Sequence, residues 1–148
     1  MNVFIFSFNF NPVSVKAADQ KIAQLNSELS TQKIIQKHCD SYRLCRKVIE
    51  DCKSAKNPKV YRTKHQAEYH LHDSLKKELQ NLGVTKIPSS DKIKKRIENL
   101  ESEQTASVRE KQGLQEKQKL LNTIQQNFNV LLDAPEMQPP LSEKENTL

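Results

Sequence analysis

The chain has 148 residues, 28% charged and 35% hydrophobic, with two glycines, no tryptophan and a formal charge of +6. Such a composition excludes a large aromatic core and a membrane-spanning bundle, and it predicts an all-α, elongated assembly whose helices share narrow apolar seams. The charge is concentrated, because residues 53–96 carry twelve Lys/Arg against four Asp/Glu, so the middle of the chain is the part suited to a polyanion.

Residues 1–15, MNVFIFSFNFNPVSV, place Phe4, Phe6, Phe8 and Phe10 in alternation up to Pro12. Period-2 alternation suits a strand, but no partner strand is evident, so a flexible apolar N-terminal arm is expected. The pattern is not that of a secretory signal: no positive region precedes it, and Ser7, Asn9 and Asn11 interrupt it. No run approaches the roughly 20 apolar residues of a membrane span.

A three-helix region is expected over 16–134, with helices at about 17–55, 58–82 and 90–133, two of them long and partly coiled-coil-like. In the first, Ile22, Leu25, Leu29, Ile35, Cys39, Tyr42, Cys45, Ile49 and Cys52 climb in steps of three and four, broken by Gln32. Its three cysteines form no CxxC pair and share the apolar face, which predicts reduced thiols in a cytoplasmic protein rather than disulfides or a zinc site. Asn57-Pro58 is a cap followed by a first-turn proline. The second helix should bury Val60, Ala67, Leu71, Leu75, Leu79 and Leu82, and stop at Gly83. The third should be capped by Ser89 or Ser90 and end at Pro135. Its ladder is apolar at both ends and polar around Gln104, Ser107 and Lys111. Short links predict an up-down-up arrangement, followed by a disordered acidic tail over 135–148.

The histidines of the middle helix invite a metal reading. His65, Glu68 and His72 share one helical face, yet HExxH and paired ExxH patterns are missing, and no second ligand-bearing helix is apparent. His70-Leu71-His72 matches the histidine, hydrophobic, histidine pattern of one family of single-strand nucleases, but residues two apart diverge by about 200° on a helix and cannot chelate one ion. With no phosphate loop and no GxSxG, the residues predict no catalytic site, no metal and no cofactor.

The stretch from Arg46 to Glu103, with YRTKHQAEYHLHDSLKKEL and the loop GVTKIPSS at its centre, followed by IQQNFNVLLD, resembles the C-terminal helical region of relaxase/mobilisation nucleases of plasmids and integrative conjugative elements. The resemblance spans roughly Ala17 to Ala134. It implies a non-catalytic helical module or fragment of a conjugative relaxase, without the nuclease domain that carries the nicking tyrosine. Tyr42, Tyr61 and Tyr69 lie in helical patterns and inherit no such role. The expected activity is DNA (transfer-origin) or relaxosome binding in plasmid mobilisation, carried by Lys59, Arg62 and Lys64 with Lys92, Lys94, Lys95 and Arg96. Expected partners are DNA, relaxase or relaxosome proteins, and further copies of the chain, but no membrane. The competing expectation is a structural protein–protein or oligomerisation spacer with no nucleic-acid role.

Overall fold

The computed structural model describes residues 12–134, which form four α-helices and, among the described residues, no strand. They are α1 (Pro12–Ser54), α2 (Pro58–Lys64), α3 (Gln66–Asn81) and α4 (Ser90–Asp133). The all-α class and the two long helices agree with the sequence reading. The first helix is already formed at Pro12, the first described residue and five residues before Ala17, a position compatible with proline in a first helical turn. The rest of the expected arm, 1–11, and the tail, 135–148, lie outside the described residues.

Local chemistry fixes the other boundaries. The Asn57 side chain accepts a bond from the Val60 N–H at 3.4 Å, with Pro58 opening α2. The Ser89 hydroxyl accepts from the Lys92 N–H at 3.3 Å and caps α4. After α3 the chain turns at Gly83, where φ is +82°. There the Val84 N–H bonds the Leu79 carbonyl at 2.9 Å and the Gly83 N–H bonds that of Gln80 at 3.0 Å, a Schellman closure that favours glycine. The expected single helix over 58–82 is instead two, broken at His65 (φ −109°, ψ 26°). No glycine or proline marks the break. His65 ends one helix and leads the next, its ring tilted against Tyr61 at 4.3 Å and its Nδ1 bonded to Glu68 at 3.2 Å.

The direction of the last helix differs from the up-down-up expectation. Along α1 and α3, His38 pairs with Glu78 and Tyr42 stacks on His72, so α3 runs antiparallel to α1. Along α1 and α4, Lys33 pairs with Glu101 at 3.0 Å, Asn26 with Gln104, and Asp19 with Lys111 at 2.6 Å. Hence α4 also runs antiparallel to α1, and the order is up, down, down. The two descending segments cover successive lengths of α1 and do not pack side by side. Length explains this: α3 has 16 residues and α1 has 43, so α3 spans only about 24 of some 64 Å. An ascending α4 would leave the ladder from Ala18 to Leu29 in water. Descending, it covers Ala18, Leu25 and Ile35 of α1 and buries its own Ile93, Ile97, Leu100 and Ser107.

The core is centred where the segments meet, at Ile35, Cys39, Leu79, Ile93 and Ile97, with Tyr42, Val84 and Ile87 packed around them. Arg43 reaches across to the Pro88 carbonyl and ties the α3–α4 link to α1. The inner face of the 58–82 segment is not the expected stripe. Leu75 and Leu79 are buried, but Val60, Leu71 and Leu82 are 49%, 47% and 38% exposed and Ala67 is exposed. The track 65–68–69–72 faces inward instead, because α1 presents Tyr42 and small cysteines there, which accommodate imidazole and phenol rings.

Candidate nucleic-acid interface

The seven predicted cations are all exposed and fall into two groups. Lys59, Arg62 and Lys64 are on α2, which is held to the end of α1 where the Cys52 thiol donates to the Pro58 carbonyl at 3.6 Å. Spacing puts Lys59 and Arg62 on one face with Thr63, and Lys64 on another. With Gln66, those three line a shallow open depression. The Arg62 guanidinium carbon lies 5.0 Å from the centre of the Tyr69 ring, which holds the side chain over α3 without neutralising it. Lys53 and Lys56, exposed at the end of α1 and in the link to α2, extend this basic end. They belong to the basic run but escape a reading that looks for cations on helical faces.

Lys92, Lys94, Lys95 and Arg96 occupy the first turns of α4. Positions 92, 95 and 96 share a face, and Lys94 projects from the opposite flank. Arg96 pairs across the seam with Glu28, so it belongs partly to the α1–α4 contact. Lys59, Lys64, Lys92, Lys94 and Lys95 form no ion pair with any carboxylate among the described residues. The two groups are not one patch. α4 starts beside Cys39 and α2 beside Cys52, which separates them by about 20 Å along α1. The sequence groups seven cations by proximity in the chain, and the fold sorts them into two stations on a rod.

His65 and His72 are taken up by packing, and His70 is exposed. His72 is stacked on Tyr42 at 4.6 Å and bonded to Asp73 at 3.1 Å, while His65 bonds Glu68. These bonds hold the Glu68 and Asp73 carboxyls below the usual range. The Cys39 and Cys45 thiols are pushed up, chiefly by burial; Cys39, Cys45 and Cys52 are all free and buried. Burial also raises the Tyr61 phenol, helped by the nearby Asp51 carboxylate. Among the described residues, no three His, Cys, Asp or Glu side chains are grouped to hold a metal ion, and no helix is long and apolar enough to cross a membrane.

No family model, no curated protein and no solved structure matches this chain.

Proposed function

We propose that the chain is a non-catalytic helical DNA-binding module of the kind found at the C-terminal end of relaxases, contributing transfer-origin or relaxosome binding in plasmid mobilisation. The observation that carries this reading is the set of exposed lysines at both stations, Lys59 and Lys64 on α2 and Lys92, Lys94 and Lys95 on α4, whose charges are left unpaired by the described carboxylates. Two cationic stations on a stiff rod match a backbone contact made at two places along a duplex, where phosphate neutralisation and counterion release supply the affinity. The resemblance of the 46–103 stretch to relaxase tails supplies the biological setting.

The test is fluorescence anisotropy of a labelled duplex against the full chain at low salt, alongside Lys59→Glu/Lys92→Glu/Lys95→Glu. All three positions are exposed, so the variant keeps its fold. Binding that weakens at least about tenfold in the variant supports the reading. Absence of wild-type binding at low salt, or equal affinity of the two proteins, sinks it.

One observation favours a second reading, a structural spacer that docks proteins: the last third of α4 has no helix packed on it among the described residues. That reading predicts capture of a relaxase partner that the triple charge reversal leaves intact.

A further inference from the structure

The register between α1 and α4, set by Asn26 with Gln104 and Asp19 with Lys111, brings Pro12 level with Gln118. Beyond that point α4 continues to Asp133, about 22 Å at 1.5 Å per residue, with nothing described opposite it. This overhang is not built as a solvated end. Leu120, Leu121, Ile124, Phe128, Leu131 and Leu132 fall within about 120° of the helix circumference. Among them Leu120 is 61% exposed, Phe128 55% and Leu132 74%. No charged residue occurs from 120 to 132, although 28% of the chain is charged.

The stripe continues an established interface. Ile93, Leu100 and Ser107, seven residues apart, are buried against α1, and Leu114 is half-buried. The next two positions in that series are Leu121 and Phe128. On the α1 side, Ile22 and Val15 lead by sevens to Phe8, and Leu25 and Ala18 lead by sevens to Asn11 and then Phe4. In the sequence, the seven-residue series that line the α1–α4 seam thus run on into the uncovered face of α4 and into the phenylalanine-rich segment ahead of Pro12.

We propose that residues 1–11 are the occupant of this face, packing their phenylalanines over Leu121–Leu132 of the same chain. Reach is sufficient: eleven residues span at most about 36 to 40 Å extended and about 16 Å if helical, and Phe128 is about 15 Å beyond Gln118. Charge agrees, since residues 1–11 hold no charged side chain, so an uncharged segment meets an uncharged face. Tethering also favours this occupant over a second copy, because a short linker presents it at an effective concentration in the millimolar range. The contact involves none of the seven cations, so it stands or falls separately from DNA binding.

The experiment is hydrogen exchange on the full chain, with solution mass measured in parallel, for the wild type, Phe4→Ser/Phe8→Ser/Phe10→Ser, and Phe128→Ser. The expected result is a monomer whose 120–132 amides are protected, with exchange roughly tenfold or more faster in both variants while the 93–107 amides are unchanged. Those unchanged amides show that the variants fold. Wild-type exchange over 120–132 as fast as in the variants overturns the proposal. So does protection that grows with protein concentration together with a dimeric mass, which would make a second copy the occupant.

Discussion

Leu79→Ala removes the side chain at which the three packed segments meet. Leu79 is 1% exposed and touches a cluster containing Ile35, Cys39, Ile93 and Ile97. The lost transfer energy is about 2.4 kcal/mol for three carbons at about 0.8 kcal/mol each. A cavity cost adds to it, because α1 and the start of α4 cannot both collapse inward without breaking the Arg43–Pro88 tie. The sum is about 3 to 4 kcal/mol, within the measured range for buried leucines, and helix propensity barely enters because Leu and Ala are both strong formers. The control is Leu71→Ala on the same helix, 47% exposed, which should cost about 1 kcal/mol or less. Urea unfolding followed by circular dichroism reads both, as a lowered midpoint with an unchanged slope. Equal losses for the two variants would refute the placement of the core at this junction.

Three further outcomes follow from the same packing. Ser107 is 2% exposed and its hydroxyl has no partner, so Ser107→Ala should stabilise the chain by about 1 to 2 kcal/mol; a lowered melting temperature would show that the hydroxyl is bonded in solution. The two glycines should respond in opposite directions to alanine. Gly113 has open space around it inside α4, and replacing it should gain about 1 kcal/mol, whereas Gly83 at φ +82° should lose about as much; thermal melts that move together would contradict the Gly83 turn. Glu68 and Asp73 have carboxyls held low by His65 and His72. Their contribution is therefore present above the ordinary carboxylate range near pH 4 and lost as pH falls through their depressed values. Glu68→Gln/Asp73→Asn should lower stability at neutral pH and flatten the acid limb, so that urea unfolding of variant and wild type converges at low pH; a wild-type advantage that persists unchanged into acid would contradict it.

Much of this architecture was legible in the chain because its signals are local. Asn57-Pro58, Ser89 and Gly83 each act within a few residues, and all three end or begin helices as their chemistry dictates. The ladder from Leu25 to Cys52 identified the buried face of α1. The direction of α4 was not legible, since it depends on which length of α1 remains uncovered once α3 has docked, a comparison of lengths across the fold. The break at His65 was also hidden, as it arises from ring packing and one carboxylate bond in a sequence with good helix formers on both sides. Leu71 illustrates the limit of periodicity: it fits the 3.6-residue stripe with Leu75 as well as His72 does, and only the facing Tyr42 decides that the imidazole turns inward. For the candidate interface, composition found the cations, but not their separation into two stations or the partial loss of Arg96 to Glu28.

The central claim, that exposed cations at both stations bind a nucleic-acid backbone, is tested most directly by the salt dependence of duplex affinity for the full chain between about 50 and 200 mM monovalent salt. If Lys59, Arg62, Lys92 and Lys95 each neutralise one phosphate, log affinity should fall against log salt with a slope of about −3 to −4. Reversing the charge of Lys92 and Lys95 should make that slope shallower. A slope near zero, or no binding at the lowest salt, would contradict the account.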